Sequence, residues 1–138
     1  MANLQILASK ELWCDIKDYE GIYQVSTIGN VRVLNRVRII KGVRQFYPTK
    51  NLKQVKSNSG YFIIILAKDK ECFPMPVHRI VAEAFIPNPF NYSQVNHIDG
   101  NKENNMVENL EWCSQSQNTI HAYAIGLMPK KRNRLKIC

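Results

Sequence analysis

The four cysteines, Cys14, Cys72, Cys113 and Cys138, include no C-x-x-C pair, which leaves a zinc ribbon without support. In a reducing compartment they are expected as free thiols. Long apolar runs are also missing: the longest, Tyr61 to Ala67, is far too short to cross a bilayer. The opening stretch MANLQILASKELWC lacks a basic start, a long apolar core and a cleavage site, so secretion is not expected and a cytoplasmic location is. No repeat or low-complexity segment occurs, and 138 residues with 45% hydrophobic content suit one domain, or a small core with an appendage. Acidic residues are scarce, with 11 Asp and Glu against 19 Lys and Arg and a net charge of +8.

That charge is unevenly spread. Residues 1–70 carry twelve basic and five acidic side chains, whereas residues 71–128 carry two basic and six acidic ones. The tail, 129–138, holds five bases and no acid. Within the first segment Arg32, Arg36, Arg38, Lys41, Arg44, Lys50, Lys53 and Lys56 follow one another with no acidic residue between them. Such a stripe repels itself unless it meets an anion, and a phosphate backbone is the usual partner; a solvated, solubilising face is the bland alternative. Three regions follow: a β-rich basic part over 1–70, a polar core over 71–128 and the basic tail.

From Trp13 to Ala67 the segments IYQVS, NVRVL, RVRII, NLKQVK and YFIIILA are β-branched and aromatic, with Gly21, Gly29, Gly42 and Gly60 between them, and read as short strands. In NVRVLNRVRII the arginines alternate with Val31, Val33, Val37 and Ile39. Strand alternation then puts the apolar set on a core and the guanidinium groups outward. Residues 78–86, HRIVAEAFI, read as a short helix with Ile80, Val81, Ala84 and Phe85 inward, ended by Pro87. QVNHI (94–98) and NLEWC (109–113) read as strands around the turn-rich DGNKENN. Ser114 to Gln117 fits a capping box opening a last helix, and Gly126 fits its stop. On that helix Ile120, Tyr123, Ala124 and Leu127 are expected inward, with Asn118 and His121 together on the other face. The expected fold class is α+β.

The string VNHIDGNKENNMVENLEWCSQSQN closely resembles the HNH motif of phage and intron-encoded homing endonucleases. HRIVAEAFIPNP resembles the helix that leads into it, and residues 13–32, WCDIKDYEGIYQVSTIGNVR, resemble a nuclease-associated modular DNA-binding motif. The resemblance implies a small β-sheet region followed by a ββα-metal nuclease core. It implies His97 as general base, Asn109 as the residue that orients it, and Asn96 and Asn118 as metal ligands. Asn96 departs from the pattern, since relatives often carry Asp or His there. It further implies double-stranded DNA as partner, 5′-phosphate and 3′-hydroxyl products, and, for a phage enzyme, action in the cytoplasm of a bacterial host.

The chemistry is consistent with those residue types. Histidine titrates near neutrality and can take a proton from water. An acceptor such as the side-chain or backbone carbonyl of Asn109 would fix its tautomer. Magnesium or manganese prefers oxygen ligands, which amide and phosphate oxygens provide. Two neutral amides make a weak cage for a metal without DNA, and the competing reading is a DNA-binding regulatory module whose nuclease site has decayed. His78, Arg79 and His121 are candidates for lining the site or touching phosphate. Asp99 and the asparagines at 101, 104 and 105 read better as turn formers, and the tryptophans as core. Gly21-Ile22-Tyr23 spells the opening of another nuclease signature, GIY-YIG, but Thr27-Ile28-Gly29 follows too soon to be its second strand. The sequence reveals neither target site nor oligomeric state, so monomer and homodimer both stay open.

Overall fold

A computed structural model describes residues 10–127; the basic tail therefore lies outside the described residues. The fold is α+β. Strands β1 (Trp13–Asp15), β2 (Tyr23–Ser26), β3 (Val31–Val33) and β6 (Lys50–Asn51) form an antiparallel sheet in the order β1-β2-β3-β6. Strands β7 (Val55–Lys56), β8 (Phe62–Lys68) and β9 (Glu71–Pro76) form a second antiparallel sheet. Helix α1 (Val77–Phe85) packs against both and against the hairpin β10 (Gln94–His97) and β11 (Leu110–Cys113). Helix α2 (Gln115–Ala124) follows.

One core joins these parts. Val25, Val31, Ile64, Leu66, Val77, Ile80 and Val81 are buried within it, with Val95 and Leu110 from the last hairpin. The β8–β9 hairpin runs across position 70, so the basic and polar halves of the chain share this core. Burying a Val, Ile or Leu side chain contributes roughly 1.5–3 kcal/mol, and the central α1 supplies several to one site. Its amphipathic spacing is as the sequence suggests, except that Val77 and Ala82 are also fully enclosed. Strand β9 is not evident in the sequence, because Pro74 and Pro76 argue against a strand; they are tolerated because β9 is an edge.

The alternation seen in the sequence holds in β3, where Val31 and Val33 are buried. It fails beyond. Strands β4 (Arg36–Ile40) and β5 (Val43–Tyr47) form a separate two-stranded ribbon closed at Lys41-Gly42, both with positive φ. Val37 and Ile39 on β4, with Phe46 opposite Val37, are exposed rather than set on a core. The reason is topological: no second layer of the described chain covers the ribbon.

The last helix also departs from expectation. Ile120 and Leu127 are 67% and 57% exposed, and α2 instead turns Asn118, His121 and Ala122 inward. The hairpin face below it carries Gln94 and Asn96, both polar, so the helix docks there through hydrogen bonds, while Ile125 and Leu127 just beyond it lie against Gly100. Asn118 donates to Gln94 Oε1 at 3.0 Å, and the His121 ring meets the Ile98 carbonyl at 2.9 Å. The capping box is present, Ser114 accepting from the Gln117 N–H and Gln117 from the Ser114 N–H.

Candidate active site

A cavity of about 220 Å³ lies between the β10–β11 hairpin and α2, and Asn96, His97, Asn118 and His121 are among its walls. Strand pairing sets the first of these. Asn96 stands opposite Glu111 and His97 opposite Leu110, and side chains on neighbouring strands at one register position share a face. Asn118, held by the capped first turns of α2, reaches the same cavity from the other side.

Both asparagine amides are oriented by their nitrogens. Asn96 Nδ2 donates to Glu111 Oε1 at 2.9 Å, and Asn118 Nδ2 donates to Gln94 Oε1 at 3.0 Å. Among the described residues no donor engages either Oδ1. Two residues that line the cavity thus keep amide oxygens without a donor, and amide oxygen is a ligand type that a hard divalent cation accepts. The residues fit such an ion.

His97 is buried, and its Nε2 lies 2.8 Å from Asn105 Oδ1. An amide oxygen only accepts, so the neutral ring carries its proton on Nε2 and its lone pair on Nδ1. Burial pushes the His97 pKa below the ordinary histidine value, against the Asn105 hydrogen bond and nearby Asp99, which raise it, and with Lys102, which lowers it. The ring is accordingly a free base at neutral pH.

Asn105, not Asn109, is the side chain that touches His97. Asn105 is 5% exposed and is packed against the β2–β3 turn: a Cβ added to Gly29, where φ is +88°, would lie 3.0 Å from Asn105 Cβ. The turn also holds the loop by its backbone, Val107 N–H donating to Thr27 O at 2.8 Å. Asn109 shapes the loop around the base. Its Nδ2 donates to Asp99 Oδ1 and to the Asn104 carbonyl, its Oδ1 accepts from Asp99 N–H, and its carbonyl accepts from Ile98 N–H. Asp99 is engaged by Asn101, Asn104 and Asn109; its carboxyl is held below the usual range first by the Asn104 side chain and then by the Asn101 backbone. It is a turn former, as its sequence context suggests.

Other candidates fall elsewhere. The His78 ring lies 5.1 Å from that of His97 and 4.8 Å from Tyr61, with a buried Nδ1 that has no partner among the described residues. Burial, then His97, then Arg79 pushes its pKa down to about 4, so it is neutral. Arg79 donates to the Ser93 carbonyl at 2.7 Å and lies over Trp112, bracing the segment before β10. His121 Nε2–H is engaged by the Ile98 carbonyl. Of the basic stripe, Arg32 stacks on Trp13 at 3.9 Å and donates to Gln24, and Lys56 pairs with Glu103. Arg36 and Arg38 lie over Tyr47 on the ribbon, while Lys41, Arg44, Lys50 and Lys53 are exposed. Cys14, Cys72 and Cys113 are free thiols, and no group of three or more His, Cys, Asp or Glu among the described residues is arranged to hold a metal. No described helix is long and apolar enough to cross a membrane.

A hairpin and helix that bring Asn96, His97 and Asn118 around one cavity, behind a small antiparallel sheet, define an HNH-type protein. The chain belongs to that family: residues 11–67 match the NUMOD4 motif and residues 76–120 match the HNH endonuclease family. It is 35% identical over 116 residues to the DNA endonuclease I-HmuI of Bacillus phage SP01, covering 84% of this chain and 60% of that protein. It is 42% identical over 89 residues to an uncharacterized HNH endonuclease of Acanthamoeba polyphaga mimivirus, covering 63% of this chain and 27% of the relative. A solved structure described as DNA binding and cleavage by the HNH homing endonuclease I-HmuI superposes with a TM-score of 0.68 at 36% identity, over 86% of this chain and 61% of that one. The chain thus spans between about a quarter and three fifths of the length of these relatives.

Sequence reasoning misses two residues of the site. Asn105 reads with its neighbours as a turn former, and nothing local separates it from Asn104. Glu111 draws no notice, though pairing QVNHI with NLEWC in antiparallel register would put it opposite Asn96.

Proposed function

We propose that this chain hydrolyses phosphodiester bonds of double-stranded DNA, with His97 as general base and one divalent cation held by Asn96 and Asn118. One observation carries the reading. Two asparagines whose amide oxygens meet no donor among the described residues line one cavity with a buried, neutral histidine whose Nε2 proton is fixed by Asn105. His97 Nδ1 takes a proton from a water while Nε2–H stays on Asn105, so the ring does not rotate during the transfer. Asn109 and Asp99 keep the loop, and with it the ring, in place. Magnesium or manganese, when bound, acts as a Lewis acid towards the phosphate and the departing 3′ oxygen. A base provided by the protein makes a second ion unnecessary.

The N-terminal part, residues 1–70, is the part that holds DNA, and residues 71–128 cut it. The β4–β5 ribbon, with Arg36, Arg38, Lys41 and Arg44 and no covering layer among the described residues, has the dimensions that a major groove admits. Lys50 and Lys53 extend the basic surface towards phosphates.

The competing reading, a DNA-binding module with a decayed site, draws on Asn96 standing where an acid or imidazole is common. Incubation of the protein with supercoiled plasmid and magnesium or manganese, with and without a chelator, separates the two. Metal-dependent nicking is expected. Retardation of DNA with no cleavage under either metal would favour the binding module.

A further inference from the structure

We propose that Glu111 is the anionic member of the cation site, fixing the Asn96 amide and supplying the negative charge that two asparagines lack. This rests on the reading above that Asn96 and Asn118 hold the cation. Glu111 lies directly across the β10–β11 pair from Asn96, on the same face, with Oε1 2.9 Å from Asn96 Nδ2. Asn96 is 7% exposed, so its amide has few alternative partners; it lines the cavity while Glu111 is not among the lining residues, and a carboxylate held on the nitrogen leaves Oδ1 as the amide atom free for an ion. The charge is available. Glu111 is exposed and forms no ion pair with Lys or Arg among the described residues, whereas Asp99, the other nearby carboxylate, is engaged within its own loop.

Nitrogen and oxygen of an amide diverge from one carbon, which puts Glu111 outside direct reach of an ion on Oδ1. It acts as a positioning residue, through the amide and through its field, as carboxylates behind metal-ligating side chains do. An acid at position 96 and an acid at position 111 are on this reasoning two solutions to one need: a negative charge close to the ion. With Glu111 in place the site holds a cation before DNA arrives.

The test is a calorimetric titration of the full chain with manganese alone, without DNA, on parent, Glu111→Gln, Glu111→Ala, Asn118→Ala and the double variant Asn96→Asp/Glu111→Gln. Thermal unfolding of each variant without metal checks that it is folded. The parent is expected to bind at millimolar concentrations or better. Glu111→Gln keeps a hydrogen-bond acceptor but not the charge, and should weaken binding by about tenfold, the lower end of what loss of a metal site's outer partner costs. Glu111→Ala should weaken it further, and the double variant should recover the parental affinity. A merely structural cross-strand contact would be preserved by Gln and would leave manganese affinity unmoved. No binding by the parent, or Gln and Ala variants that bind as the parent does, overturns the proposal. If Asn118→Ala weakens binding while the Glu111 variants do not, only the role of Glu111 fails. If Asn118→Ala has no effect either, the cation sits elsewhere and the assignment of the site fails with it.

Discussion

Acid should destabilise this fold early, and His78 should be a principal cause. Its ring is packed between Tyr61 and His97 with a buried, unpartnered Nδ1, and its pKa falls from 6.5 to about 4. Below the ordinary histidine value the unfolded chain binds a proton that the folded chain refuses. Stability is therefore fully present above that value and is lost as pH falls towards the folded pKa. The part of this lost by about pH 5 corresponds to about 2 kcal/mol; since water reaches part of the ring, about 1–2 kcal/mol is expected. The buried His97, also lowered, adds in the same direction. Urea unfolding at about pH 7 and about pH 5 measures the loss. His78→Phe keeps a ring against Tyr61 and removes the unpaired nitrogen, so it should reduce the pH dependence and leave neutral stability unchanged or improved by up to about 1 kcal/mol. An unaltered pH dependence in His78→Phe, or none in the parent, would refute the reasoning.

Three further outcomes follow from the same geometry. Gly29→Ala introduces a Cβ at positive φ and 3.0 Å from Asn105; it should cost about 1–2 kcal/mol of stability and lower the cleavage rate without altering DNA affinity, as gel retardation and nicking on one preparation will report. Arg36→Ala with Arg38→Ala should flatten the dependence of log affinity on log salt by up to about 2, one for each phosphate no longer neutralised, and an unchanged slope in fluorescence anisotropy would remove the ribbon from the DNA-binding surface. Asn118→Ala should raise the magnesium concentration for half-maximal nicking by about tenfold, or about 1.4 kcal/mol; a midpoint that stays put moves the cation away from α2.

Much of the site is legible in the chain because its elements are local. The spacing in NHIDGNKENN and NLEWCSQSQN implies a turn, a returning strand and a capped helix, and each forms at those residues. What resists reading depends on partners distant in sequence. Val37 and Ile39 have the alternation of a core strand, but burial needs a second layer, and none of the described residues forms one over the ribbon. Ile120 looks inward-facing by helical spacing, yet the hairpin offers α2 a polar face, so amides dock there and Ile120 stays in water. Asn105 differs from Asn104 only by being clamped beneath Gly29, far earlier in the chain, a relation that depends on the fold of the N-terminal motif. Strand β9 is hidden by its two prolines, which only an edge position allows.

The central claim is that His97 is the base. Nicking of supercoiled plasmid by the parent and by His97→Ala, at saturating magnesium and across the acid-to-neutral range, tests it most directly, with DNA affinity measured on the same samples. The parent's rate should fall on the acid side with a midpoint below the ordinary histidine value, about 6.5, because burial holds the His97 pKa down. His97→Ala should bind DNA as the parent does while cleaving at least about 10²-fold more slowly, with the acid limb gone. A variant that cleaves at the parental rate, with the same pH profile, would contradict the assignment of His97 and the mechanism built on it.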